Sequence, residues 1–293
     1  MKQWIRLLIG LLLLGLLSGC AGNSPSAQVA ATTLPVYEFT ARICQGTPIT
    51  VTRLVTEQVS CLHDYSLNVR QVRAVEAAET VVISGAGLEE FLGDLLMDAQ
   101  MIDASQGIAL LCPEEDHEGH GEDDGHHHEE DPHIWLSPEN AKQMAENICT
   151  GLSEEYPEYA QTFAQNLTDL QEDLDELLQY GKQQLKTLSC RELIPFHDGF
   201  SYFAQAFDLT ILEAVEEESG SEASAKELIH LIEQVQQHNL PAVFTEKSGS
   251  VSAAGVISRE TGCAVYTLDM AMAGDSYFDA MYHNIDTIKE ALQ

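Results

Sequence analysis

The chain has 293 residues, of which 47 are acidic and 14 basic, for a net charge of −33. So negative a balance argues against binding nucleic acid or anionic lipid and suits attraction of cations, although acidic surfaces also simply keep proteins soluble. The length left after an N-terminal leader favours two domains over one.

The N-terminus reads as an export signal. Lys2 and Arg6 form a short basic region, and the apolar run over 7–17 is too short to span a bilayer. It ends in Leu17-Ser18-Gly19-Cys20, so residues 1–19 are expected to be a signal peptide. Cysteine directly after Leu-Ser-Gly resembles a bacterial lipobox, which makes Cys20 the expected lipidation site and 20–27 a lipidated tether. An ordinary signal peptide with an incidental cysteine is the alternative.

Beyond the tether the chain alternates between strand and helix patterns. Strands are expected at 29–33, 49–55, 80–84 and 108–111, and helices at 35–44, 69–78, 88–99 and 140–152. Ser137 and Pro138 stand where a helix takes a cap and a first-turn proline. From 157 to 187 apolar residues recur in steps of three and four: Tyr159, Phe163, Leu167, Leu170, Leu174, Leu177, Leu178 and Leu185. This predicts one amphipathic helix of ~30 residues, ~45 Å long, as a rigid connection between two lobes. A coiled-coil seam would need more heptads. Alternation then resumes, with strands at 193–196, 209–213, 242–245 and 264–268 and helices at 201–207, 224–238, 251–261 and 277–292. The predicted class is α/β: an N-terminal lobe over 28–152, a linking helix over 153–188 and a C-terminal lobe over 189–293, each lobe with a mostly parallel four-stranded sheet.

Besides Cys20 there are six cysteines, Cys44, Cys61, Cys112, Cys149, Cys190 and Cys263. No Cys-x-x-Cys spacing occurs, which disfavours a thiolate zinc cluster. An exported chain permits disulfides. Cys190 and Cys263 both precede predicted strands and make a candidate pair, with isolated buried thiols as the alternative.

The densest chemistry lies in the loop over 113–131 and just beyond. From Glu114 to His133 there are six histidines among ten carboxylates: His117, His120, His126, His127, His128 and His133. Imidazole suits zinc, copper and nickel, and carboxylates add oxygen donors. Three further residues fall where predicted strands end or soon after: His63, His197 and Asp269. Ligands in open α/β sheets gather at the carboxyl ends of strands. His63, His133, His197 and Asp269 thus converge on one interlobe cleft, and three imidazoles with one carboxylate make a tetrahedral zinc set. Each histidine alone is more often a hydrogen-bonded structural residue, and an aspartate after a strand is usually a cap or turn residue. The joint pattern carries the reading. Asp64, Asp198 and Glu246 are candidates to steady the ligands, with helix capping, turn formation or a strand-end ion pair as the plainer roles.

Several segments together resemble the substrate-binding lipoproteins of zinc and manganese ATP-binding-cassette importers, the cluster A-I metal receptors. These are Ala31-Thr32-Thr33-Leu34-Pro35-Val36-Tyr37, His63-Asp64-Tyr65-Ser66-Leu67, the stretch from Ala78 to Glu89, Asp131-Pro132-His133-Ile134-Trp135-Leu136-Ser137-Pro138, and Phe196-His197-Asp198-Gly199-Phe200. The third segment matches the family's strand and glycine turn, and the fourth is the most specific, preceded by a His-rich loop as in the zinc members. The resemblance implies His63, His133, His197 and Asp269 as metal ligands, and zinc as the transported ion ahead of manganese, because His197 stands where manganese-type members usually have Glu. It also implies partners: the membrane subunits of a permease with a cytoplasmic ATPase, and a membrane reached through the lipid anchor. The protein is expected to be monomeric, extracytoplasmic and not an enzyme. His117, His120, His126, His127 and His128 then become a low-affinity antechamber. The chain departs from the family at Cys61-Leu62, before the first ligand, and at Met270-Ala271, after Asp269, where Pro-Leu is usual. The fourth ligand accordingly stays open between Asp269, Glu246, water and, more remotely, Asp275. The alternatives are a manganese- or iron-type receptor, a zinc hydrolase and a host-binding adhesin; the hydrolase lacks a His-Glu-x-x-His helix and a placed general base.

Overall fold

A computed structural model describes residues 28–57, 59, 62, 65–96, 100–111, 130–214, 223–247 and 251–293. The N-terminal half builds a fully parallel sheet in the order β2-β1-β3-β4, from β1 (Gln28–Ala31), β2 (Thr50–Arg53), β3 (Thr80–Ile83) and β4 (Gln100–Asp103). Its helices are α1 (Leu34–Ile43) and α2 (Val69–Ala77). Asn68 starts α2 through a capping box with Gln71.

The fourth strand is not the expected one. The segment 108–111 is a loop, and β4 lies at Gln100–Asp103. Only Ile102 of β4 is buried, so this edge strand carries almost no hydrophobic pattern. The apolar side chains of 108–111 pack instead as a loop, whose Leu111 N–H donates to the Tyr202 hydroxyl. The helix expected over 88–99 is a short 3₁₀ stretch, Glu90–Leu96, broken at Gly93 where φ is +44°.

The C-terminal half has two parallel pairs, β5 (Glu192–Leu193) with β6 (Thr210–Ile211) and β7 (Ala242–Glu246) with β8 (Ala264–Leu268). A parallel bridge between Pro195 and Phe244 joins them in the order β6-β5-β7-β8. The bridge does not need the N–H that Pro195 lacks: Phe196 N donates to Phe244 O at 2.8 Å and Phe244 N to Ile194 O at 3.1 Å, so the missing donor falls on the β6 side. Cys190 and Cys263 are free thiols here, as are Cys44 and Cys149, which corrects the expected Cys190–Cys263 disulfide. The two cysteines lead into β5 and β8, which β7 separates, so two strand spacings of ~4.8 Å put them beyond the ~7 Å that a disulfide tolerates.

Two long helices tie the halves together. α3 (Pro138–Glu155) is capped by Ser137, whose hydroxyl accepts from Asn140 N. After a 3₁₀ turn at Pro157–Tyr159, α4 (Ala160–Gln184) runs for 25 residues and buries Phe163, Leu170, Leu174, Leu177 and Leu178. At ~1.5 Å per residue it is ~38 Å long, shorter than the periodicity suggests because the first turn is 3₁₀ and residues 185–187 form a turn. The remaining helices are α5 (Ser201–Ala206), α6 (Ala225–His238), α7 (Ser252–Thr261) and α8 (Tyr277–Leu292). One continuous core runs from Val29 through α3 and α4 to Leu292. Among the described residues no helix is long and apolar enough to cross a membrane.

A buried carboxyl fastens the turn after β3. Glu89 accepts hydrogen bonds from Thr32 Oγ1, Ser84 N and Gly85 N at 2.6, 2.7 and 3.0 Å. Burial outweighs these bonds and pushes its carboxyl from the ordinary 4.5 up to about 7. The folded protein therefore holds a proton that the unfolded chain has released. This contribution is full below about pH 4.5 and is lost as pH rises through about 7, a change of about 3 kcal/mol. Urea unfolding of the parent and Glu89→Gln proteins at about pH 5 and pH 8 checks it, since the substitution should remove this part of the pH dependence.

Candidate metal centre

Two histidines meet in the interior between the halves. His133 enters the 3₁₀ turn Ile134–Leu136, and His197 follows the Pro195 bridge. Their side chains are 3% and 2% exposed, too buried for surface residues. Their rings stand edge to face at 89° with centroids 5.1 Å apart, and the two Nε2 atoms are 3.3 Å apart.

A carboxylate stands behind each ring. Asp131 Oδ1 accepts the His133 backbone N–H at 2.9 Å and lies 2.8 Å from His133 Nδ1. Glu246, buried at the end of β7, places Oε1 3.4 Å from His197 Nδ1. The Asp131 contact favours the His133 tautomer with the proton on Nδ1, which turns its Nε2 lone pair toward His197, while the longer Glu246 contact places negative charge behind the His197 ring. The Nε2–Nε2 contact has the length of a hydrogen bond in which one ring donates to the other, and loss of that single proton leaves two lone pairs for a cation to join.

The segment after β8 lies across this pair and joins the halves. Met270 O accepts from Trp135 Nε1 at 2.8 Å, Met272 O from Leu34 N at 3.1 Å, and Gly274 O from an Arg53 guanidinium nitrogen at 2.7 Å. Tyr277 N donates to Glu38 at 2.6 Å, and the Tyr277 hydroxyl donates to Trp135 O at 2.8 Å. Asp269 begins this strap. Its Oδ1 accepts from Ala271 N at 2.9 Å and its Oδ2 lies 3.3 Å from Lys247 Nζ. Asp198 is at the surface, so the carboxylate facing the His197 ring is that of the more distant Glu246.

His63, Asp64, Cys20 and the loop histidines His117, His120, His126, His127 and His128 lie outside the described residues, as do Cys61 and Cys112. Among the described residues no group of three His, Cys, Asp or Glu side chains forms a metal cage. His133 and His197 are the brought-together pair.

Over residues 29–291 the chain matches the ZnuA family model, described as zinc-uptake complex component A, periplasmic. The chain belongs to this family. It is 29% identical over 279 residues to the zinc-binding lipoprotein AdcA of Streptococcus pneumoniae, with 90% of this chain covered. It spans 55% of that relative's length, about half. A crystal structure of ZnuA superposes with a TM-score of 0.79 at 30% identity, covering 92% of this chain and 100% of the other. The Zn(II)-bound AdcA structure from Streptococcus pneumoniae gives 0.75 at 27% identity, covering 91% and 58%.

Two residues of this ZnuA-family site escape a reading by residue type. Asp131 is the carboxylate behind His133, and its spacing of two before the histidine, with the same oxygen taking the backbone N–H, was the available signal. Gly199 is the other. A Cβ there would stand 2.6 Å from Met270 Cε, 2.8 Å from His197 Cδ2 and 3.0 Å from His133 Nδ1. Only glycine lets both imidazoles and the strap close on the same point. Gly199→Ala is expected to weaken zinc binding roughly tenfold by displacing a ring, with overpacking of this kind costing about 1–3 kcal/mol; competition against a chromophoric chelator measures it.

Proposed function

We propose that the protein captures zinc outside the cytoplasm and delivers it to the membrane subunits of an ATP-binding-cassette importer driven by a cytoplasmic ATPase. The 3.3 Å between the Nε2 atoms of His133 and His197 carries the reading. Two nitrogens bound to one tetrahedral zinc at about 2.05 Å stand about 3.3 Å apart, so the pair already has the spacing that zinc asks of it. Family membership and the zinc named for its relatives support the same ion. His63 and Asp269 are proposed to complete the set, and a nitrogen-rich set favours zinc over manganese. The halves 28–152 and 189–293 serve as the lobes and 153–188 as their fixed spacer. His117, His120, His126, His127 and His128 are proposed to gather zinc with low affinity. One oxygen of each buried carboxylate beside the pair, Asp131 and Glu246, faces an imidazole Nδ1, which supports orientation of the ligands as their role.

Metal analysis of protein lacking 114–130 tests the reading. About one equivalent of zinc should remain, held by the four-ligand set; none remaining would move the main site into the loop. The anchor has its own test: labelled fatty acid should be incorporated by the parent and not by Cys20→Ser. Growth under zinc chelation separates an importer component from an adhesin, since loss of a pure adhesin leaves growth unchanged.

A further inference from the structure

Lys247 and Asp269 are the first residues past the paired strands β7 and β8. Glu246 and Leu268 are in register, and Lys247 N donates to Leu268 O at 3.0 Å, so the next cross-strand pair is Lys247 with Asp269. Their side chains meet at 3.3 Å. The two partners are held very differently. Asp269 is fixed: its N–H donates to Asn284 Oδ1 at 2.8 Å, its carbonyl accepts from Asn284 Nδ2 at 2.7 Å, and Oδ1 accepts from Ala271 N. Its side chain is 14% exposed, against 62% for Lys247. Lys247 reaches it on a flexible stem, beside an open depression of about 450 Å³ that Asp275, Asp279 and His283 also line. One residue beyond Asp269, the Met270 methyl approaches the space above Gly199 where the two imidazoles converge.

We propose that Lys247 is a tethered counter-cation that competes with zinc for Asp269. With the metal absent, its ammonium holds the outer carboxylate oxygen. When zinc takes that oxygen, the lysine swings into the depression. The proposal rests on the reading of Asp269 as fourth ligand. An exposed lysine pair is weak and readily exchanged, since the ammonium is a hydrated point charge on a mobile stem. Its charge nevertheless stays close to the bound metal and opposes it. Lys247 thereby lowers affinity and speeds release, which is what a carrier that must surrender its ion requires.

The test is zinc competition against a chromophoric chelator, with stopped-flow release, on the parent, Lys247→Met, Asp269→Asn and the double variant. Lys247→Met should tighten zinc binding roughly 3- to 10-fold and slow release in proportion, and the gain should vanish in the Asp269→Asn background. Unchanged affinity in Lys247→Met, with Asp269→Asn still weakened, overturns the role of the lysine alone. An equal gain in both backgrounds also overturns it, since the lysine would then act through its general field. If Asp269→Asn costs nothing even beside Lys247→Met, the fourth-ligand reading falls and takes the proposal with it.

Discussion

Replacing His133 or His197 by alanine is expected to lower zinc affinity by about two to three orders of magnitude, because four-ligand zinc sites bind with about 10–16 kcal/mol and one ligand carries about a quarter. The metal-free fold should survive either change. The two rings meet through one 3.3 Å contact between their Nε2 atoms, so removing either ring takes only a single long hydrogen bond between them from the metal-free fold. The same deletion at a surface histidine supplies the contrast. His230 pairs with Glu213 at 3.2 Å and lies 3.4 Å from the Gln234 amide, but its side chain is 53% exposed. His230→Ala should bind zinc like the parent. Chelator competition reads the affinity, and calorimetry reads the rise in Tm with zinc, which should be large for the parent and His230→Ala and nearly absent for the two site variants. Parent-like affinity in His197→Ala would remove the imidazole pair from the binding site.

Much of the framework was legible because local signals and burial agree. The strand 264–268 and the helix 277–292 stand as expected: Gly262 ends the preceding helix in the left-handed region at φ +81°, and the Ser276 hydroxyl accepts from Asp279 N at the start of α8. β4 was illegible because an edge strand with one buried residue leaves no alternation to read. The loop over 108–111 misled because its apolar side chains pack on residues distant in sequence. The candidate site divides the same way. His133 and His197 were visible through flanking residues that also shape the local turn. The approach of Met270 to both rings was not, since it depends on a hydrogen bond from Trp135 to a residue 135 positions away and on the missing Cβ of Gly199. The role of Asp131 fell between these cases: the residue was conspicuous, but its second bond, to the ring, appears only once the turn is folded.

That second bond leads to the other large expected effect. Asp131→Asn should weaken zinc binding about 10- to 100-fold, the usual cost of losing the carboxylate behind a metal-binding histidine. Oδ1 takes both the His133 backbone N–H and the ring, so it fixes the turn and the ring orientation with one atom. Oδ2 is buried with no hydrogen-bond partner among the described residues, which keeps the negative charge poorly dispersed and directed at the imidazole. An asparagine can retain the backbone bond through its amide oxygen but brings no charge to make the ring a stronger donor to metal. If its nitrogen turned toward Nδ1 instead, two N–H groups would face each other or the tautomer would invert, withdrawing the Nε2 lone pair from the shared point. Glu246→Gln should cost less, about 3- to 10-fold, because Glu246 stands 3.4 Å from His197 Nδ1 against 2.8 Å for the Asp131 contact, and a longer contact orients its ring less firmly. Chelator competition gives both affinities, and circular dichroism separates loss of ligand orientation from loss of fold. A larger cost at Glu246 than at Asp131 would reverse the ranking and make Glu246 a direct ligand instead of a support, in which case its carboxylate, rather than that of Asp269, would be the fourth donor.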